Sequence, residues 1–142
     1  MRIFRIDPSF SFGNTTSGVP LGKKIMALEG IDCVISLLRS PDPILYQYLD
    51  YRRMPFPDSL NPKLVAQSVR IANTVVDVIQ EQIKRHRVCH VYCVAGRNRS
   101  GLVAGIYLNR KGYSGADTIQ RIRALNPKAL TNTAFEQYLY GL

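Results

Sequence analysis

Apolar and polar residues follow one another along the chain in short stretches, and the period of each stretch predicts an element. Strand-like pieces fall at residues 2–6, 32–38 (DCVISLL) and 46–53, with a helix expected around 21–29. Asn61 followed by Pro62 reads as a helix cap and first helical position. Leu64, Ala72, Val75, Val76, Ile79 and Ile83 then recur on one face, so the longest helix should run to about residues 84–87. Residues 88–92 (VCHVY) form a continuous strand-like run, and 102–108 an apolar run that Gly112 can close as a helix cap. Ser114, with Asp117 three residues on, opens another helix, and a last one starts near Thr131 and runs to Tyr140. With strands gathered in the first half and helices in the second, the order is mixed α/β. It contains no internal repeat, low-complexity tract or linker.

A length of 142 residues bounds this to one domain over 1–142, large enough to bury a core and too short for two of ordinary size. No apolar run reaches bilayer length, and residues 1–12 (MRIFRIDPSFSF) lack the apolar centre of a secretion signal. The expectation is therefore a soluble cytoplasmic protein without membrane insertion. Cys33, Cys89 and Cys93 are too few and odd in number for a disulfide framework, which leaves free thiols in a reducing compartment. The formal net charge of +9 favours anionic partners, a condition that phosphorylated proteins, nucleic acid and acidic membranes all meet. Lys84, Arg85, His86 and Arg87 complement the negative end of the long helix, or alternatively form a basic rim for such a partner.

The chemistry concentrates in Cys93-Val94-Ala95-Gly96-Arg97-Asn98-Arg99-Ser100-Gly101, between an expected buried strand and a helix start. Backbone N–H groups curling through such a loop, with the positive end of the helix, make a concave site for a tetrahedral oxyanion. A cysteine at a helix N-terminus beside cations is favoured as thiolate, the nucleophilic form. Arg99 returns to the rim six residues after Cys93, where its planar fork can grip two phosphate oxygens. Gly96 supplies backbone freedom, and Ser100 can donate its hydroxyl toward the sulfur.

CVAGRNRSG resembles the C-x5-R-[ST] loop of the protein tyrosine phosphatase superfamily, and its Ala-Gly resembles the dual-specificity branch. The resemblance implies a central mixed, mostly parallel sheet flanked by helices. It also implies hydrolysis of phosphotyrosine, and of phosphoserine or phosphothreonine if the pocket is shallow, in a phosphorylated protein substrate through a phosphocysteine. Cys93 is then the nucleophile, Arg99 the clamp and Ser100 the donor to the leaving thiolate, while Val94, Ala95, Gly96, Arg97, Asn98 and Arg99 surround the phosphate. Met54-Pro55-Phe56-Pro57-Asp58 resembles the family's general-acid segment, so Asp58 is the candidate acid and Asp50 the reserve. Residues 130–135 (LTNTAF) resemble the approach to the family's last helix, with Asn132 and Phe135 taken as structural. One departure is Tyr92 where the family has His directly before the nucleophile; His90 reads as a satisfied strand histidine.

Other readings remain. Asn98 before Arg99 resembles the loop of RNA 5′-phosphatases and triphosphatases, and the basic charge suits an RNA 5′ end, although Val94 and Ala95 differ from that branch. A phosphate-binding pseudophosphatase would keep the loop without turnover. A rhodanese-like sulfurtransferase would leave Asp58 and Ser100-Gly101 without a role. Neither cofactor nor metal is expected, since Cys89, His90 and Cys93 have no second ligand pair at a metal-binding spacing. Cys33 and Cys89 are read as small buried hydrophobes, with trapping of an oxidised Cys93 as the alternative.

Overall fold

The computed structural model of the chain describes residues 1–15, 19–20, 22–24, 28–40, 42, 45–48 and 50–142. Its strands are β1 (Ile3–Asp7), β2 (Phe10–Gly13), β3 (Cys33–Ser36), β4 (Asp50–Arg53) and β5 (Cys89–Tyr92). Its helices are α1 (Leu45–Tyr48), α2 (Pro62–Lys84), α3 (Arg99–Arg110), α4 (Gly115–Leu125) and α5 (Thr133–Tyr140). The sheet order is β1-β2-β5-β3-β4, with β1 antiparallel to β2 and the other neighbours parallel. This is the expected mixed, mostly parallel sheet. Its three inner strands are buried at every position, as strands covered on both faces must be.

The two faces are unequal. Phe10, Phe12, Cys33, Ile35, Cys89 and Val91 point into the main core with Val75, Val76 and Ile79 of α2, Leu102 and Ile106 of α3, Ile122 of α4 and Phe135 of α5. Val34, Tyr51 and Tyr92 point the other way, onto a smaller cluster with Leu28, Ile31 and Leu45. Burying an apolar side chain is worth roughly 1.5–3 kcal/mol, so the larger face supplies most of the drive to fold.

Local signals set several helix ends as expected. The Asn61 side chain accepts from Lys63 N at 3.0 Å, and the Ser114 side chain from Asp117 N at 3.1 Å. At the end of α3, Gly112 adopts φ +103°, its N–H donates to Asn109 O at 2.9 Å, and Tyr113 N donates to Leu108 O at 3.3 Å. This is a Schellman closure, which needs a residue tolerant of positive φ. Leu64 departs from the expected apolar stripe and is 39% exposed, while Ser68 and Gln82 are buried.

One expected strand changes and another strand is added. The 46–53 strand shrinks to Asp50–Arg53 because Leu45–Tyr48 is helical; the Asp42 carboxylate accepts from Leu45 N at 3.1 Å, and Leu45 is buried in the smaller cluster. Strand β2 was not foreseen. Its signal was the Phe10-Ser11-Phe12 alternation after Asp7-Pro8, where Asp7 Oδ1 accepts from Ser9 N at 2.7 Å and Phe10 N at 2.9 Å to turn the chain. Of the helix expected at 21–29, residues 22–24 are helical and 28–30 form a turn, while 21 and 25–27 lie outside the described residues. Among the described residues, no helix is long and apolar enough to cross a membrane.

His90 is fully buried, with Nδ1 2.8 Å from Ser11 Oγ. Burial, and then the nearby Arg5 charge, push its pKa down to about 3, so the folded chain holds the ring neutral. The unfolded chain protonates it near the ordinary value of about 6.5. Between these values the unfolded state binds a proton that the native state does not, so stability present above pH ~6.5 drains as pH falls toward about 3. At about 1.4 kcal/mol per pH unit the loss is bounded by roughly 5 kcal/mol. Urea midpoints should therefore fall steadily from pH 6.5 to 4 in the native chain. His90→Asn should be less stable at pH 8 but flatter across that window; equal slopes would refute the assignment.

Candidate active site

Strand β5 delivers Cys93 to the end of the sheet, and the chain leaves it in a loop pinned from three sides. Cys93 N donates to Gly13 O at 3.2 Å, and Thr15 N donates to Val94 O at 3.0 Å, so the exit of β2 rails the loop. Asn126 Nδ2 donates to Gly96 O at 2.8 Å, and Leu130 N donates to Arg97 O at 3.0 Å. Gly96 has φ +65°, and a Cβ there would lie 2.9 Å from Gly13 C, so both conformation and space call for glycine.

Cys93 is 3% exposed, and its Sγ lies 3.2 Å from the Oγ of the fully buried Ser100. Leu102 N makes its helical bond to Asn98 O at 2.8 Å. The N–H groups of the turn before it lie at the positive end of α3, where the helix has no acceptors for them. Arg99 is the first residue of α3, and its Nε is buried without a hydrogen-bond partner among the described residues. A buried guanidinium donor with nothing to donate to is costly, and an oxyanion in the loop would satisfy it.

Asp58 comes to this loop from 40 residues away. Asn98 Nδ2 donates to its Oδ2 at 3.0 Å, and Asn132 Nδ2 to its Oδ1 at 2.8 Å. The same asparagines lock each other: Asn132 N and Thr131 Oγ1 donate to Asn98 Oδ1 at 2.8 and 3.2 Å. Asn132 Oδ1 caps α5 by accepting from Ala134 N and Phe135 N, both at 3.1 Å. The segment before Asp58 is anchored by Phe56, buried edge-on against Phe135, and by Ser68 Oγ donating to Pro57 O at 2.8 Å. Phe135 is structural as expected. Asn132 does more than expected, since the cap of one helix also holds the candidate acid; its sequence signal, Asn before a helix, announces only the cap.

The reserve acid is excluded by place and pairing. Asp50 opens β4 beside Cys33, at the opposite end of the sheet from Cys93, and binds Arg87 at 2.8 Å and Arg52 at 3.2 Å. Arg52 first, then Arg87, hold its carboxyl below the usual range. The basic residues closing α2 are likewise at the wrong end for a rim: Arg87 also donates to Asp32 O at 3.0 Å, and Arg85 pairs with Glu81 at 3.3 Å.

Tyr92 turns away from the loop into the smaller cluster, its hydroxyl 2.7 Å from that of Tyr51, which accepts from Asp42 N at 3.0 Å. Burial raises the Tyr92 hydroxyl above its ordinary range, so it stays protonated. Cys33 and Cys89 are register partners on β3 and β5. Contact with Cys33, then burial, push the Cys89 thiol upward. Cys89 precedes Cys93 by four residues, roughly 13 Å along a strand, whereas a disulfide needs Cα atoms within about 7 Å. Neither thiol reaches Cys93, and the small-hydrophobe reading holds.

No protein-family model and no curated protein matches the chain. Solved structures do. The Cydia pomonella PTP-2 phosphatase aligns at TM-score 0.80 and 20% identity, covering 98% of this chain and 88% of that one. Human DUSP28 aligns at 0.77 and 22%, covering 98% and 90%, and DUSP15 at 0.77 and 25%, covering 98% and 85%. The chain has the fold of the cysteine-dependent protein tyrosine phosphatase superfamily, in the form carried by its dual-specificity branch.

Proposed function

We propose that the protein hydrolyses phosphomonoesters of phosphorylated proteins, phosphotyrosine foremost and phosphoserine or phosphothreonine where the pocket admits them. The observation that carries this reading is the convergence of Asp58 on the loop of Cys93, through Asn98 at 3.0 Å and Asn132 at 2.8 Å. A phosphate cradle alone needs no carboxyl beside it, and a pseudophosphatase would have no use for one.

In the first step the Cys93 thiolate attacks phosphorus, the bond from phosphorus to the leaving oxygen breaks, and Asp58 gives that oxygen its proton. Arg99 holds two equatorial oxygens while the loop N–H groups hold the rest. In the second step a water attacks phosphorus, Asp58 takes its proton, and the P–S bond breaks. Ser100, 3.2 Å from the sulfur, donates to the thiolate as it leaves. The sum is ester plus water to alcohol plus phosphate, with no cofactor in either step. Asn98, which raised the RNA reading, is accounted for by its contacts with Asp58 and Asn132.

Asp58→Asn tests the reading. It should cost on the order of a hundredfold in kcat with an alkyl phosphate, and far less with an aryl phosphate whose phenolate leaves unaided. Asn132→Ala should repeat that leaving-group dependence in weaker form. Equal losses on both substrates would remove Asp58 from the proton transfer and the proposal with it.

A further inference from the structure

Two non-glycine residues have a left-handed backbone among the described residues. His86, at φ +59°, follows the end of α2, where such a turn is usual. Leu130, at φ +61°, is buried and ends no helix. A leucine in this conformation crowds its Cβ against its own backbone, so it persists only where the surroundings impose it. Arg123, in the last turn of α4, does so: its Nε donates to Ala129 O at 3.2 Å, and its Nη2 to Leu130 O at 3.0 Å and to the Glu136 carboxylate. The Leu130 side chain is meanwhile packed on the first turn of α3, where a Cβ added to Gly101 would lie 3.1 Å from its Cδ2.

The peptide between Ala129 and Leu130 is planar and trans, so its carbonyl and its N–H point to opposite sides. With Arg123 gripping Ala129 O, the N–H is aimed away from that guanidinium and donates to Arg97 O at 3.0 Å, in the loop of Cys93. This bond is the middle one of three, between Asn126 Nδ2 to Gly96 O at 2.8 Å and Asn132 N to Asn98 Oδ1 at 2.8 Å. Residues 126–132 therefore run along the loop as a strap. Asn132, which donates to Asp58 Oδ1 at 2.8 Å, lies two residues beyond Leu130 and caps α5, the helix that carries Glu136. One side chain of α4 thus fastens both the strap and the helix it leads into.

We infer that Arg123 is a positioning residue for the proposed reaction: by clamping the Ala129 and Leu130 carbonyls it holds the strap that anchors the phosphate loop and keeps Asn132, and through it Asp58, in place. The inference rests on the phosphatase reading for what Asp58 does there. Without the clamp Leu130 gains by returning to negative φ, which swings the peptide plane, withdraws the N–H from Arg97 O and shifts Asn132.

The test uses Arg123→Met, which keeps an apolar stem and removes every donor, and Arg123→Lys, which keeps the charge beside Glu136 but has no planar fork for two carbonyls. Amide exchange read residue by residue by NMR should quicken at Leu130 on the order of tenfold in Arg123→Met, as for loss of one hydrogen bond, with Val103 and Ile106 inside α3 unchanged. In the same variant kcat should fall on the order of tenfold for an alkyl phosphate and only about twofold for an aryl phosphate, with little change in KM, because a displaced acid matters most where the leaving group needs a proton. Arg123→Lys should lie between this variant and the native chain on each measure. Native exchange at Leu130 in Arg123→Met, acceleration spread evenly through α3, or equal losses on the two esters would each overturn the inference. Full recovery by Arg123→Lys would overturn it as well, since only an ion pair with Glu136 would then be needed. Exchange at Leu130 requires no turnover, so failure of the native chain to hydrolyse either ester would count against the phosphatase reading, while the exchange result still decides whether Arg123 sets the strap.

Discussion

Cys93→Ser is expected to abolish turnover of an aryl phosphate, by a factor on the order of 10⁴ or more, while leaving phosphate binding intact. The serine hydroxyl is far harder to ionise than a thiol, so the attacking group disappears. The cradle does not: Gly13 O still accepts from the N–H of residue 93, Asn126 still holds Gly96 O, and Arg99 keeps its place at the start of α3. Serine is also smaller than cysteine at a position 3% exposed and 3.2 Å from Ser100 Oγ, so no clash disturbs the loop. The check is paired measurement of turnover and of vanadate or phosphopeptide affinity on the same preparation. Hydrolysis within tenfold of the native rate would end the covalent mechanism, and loss of affinity would show that the substitution had damaged the loop instead.

Arg99→Lys is expected to lower kcat by a factor on the order of 10² to 10³ with a smaller change in KM. The charge is retained, so long-range attraction of the substrate survives. What is lost is the planar pair of donors that follows two oxygens as the phosphoryl group flattens, a contact stronger in the transition state than in the ground state. The native Nε, buried and unpartnered among the described residues, is the donor a lysine cannot replace at that position. A variant with near-native kcat/KM would remove Arg99 from the transition state. A variant with raised KM and unchanged kcat would reduce it to a charge that gathers substrate.

How these groups came together divides cleanly between chain and fold. The strand-loop-helix around Cys93, the Asn61-Pro62 start of α2, the Ser114 cap and the Gly112 closure could all be read from sequence, because each is made by hydrogen bonds between residues a few positions apart. The same locality explains the recognition of Cys93, Arg99 and Ser100 as one constellation: helix geometry alone brings Arg99 and Ser100 back beside the loop. Asp58 was legible as the candidate through the likeness of its segment, with Asp50 in reserve. That Asp58 lies at the loop of Cys93 is owed to Asn98 and Asn132, which reach it from 40 and 74 residues away, while Arg52 and Arg87 occupy Asp50. Likewise, the strand character of residues 88–92 was visible, but not that β5 lies between β2 and β3. That register sets Cys89 against Cys33, far from Cys93, and turns Tyr92 toward Tyr51. A caps-and-periodicity reading sees contacts that close within one or two turns, whereas these pairings depend on where the sheet order brings distant segments, which burial of the whole apolar surface decides.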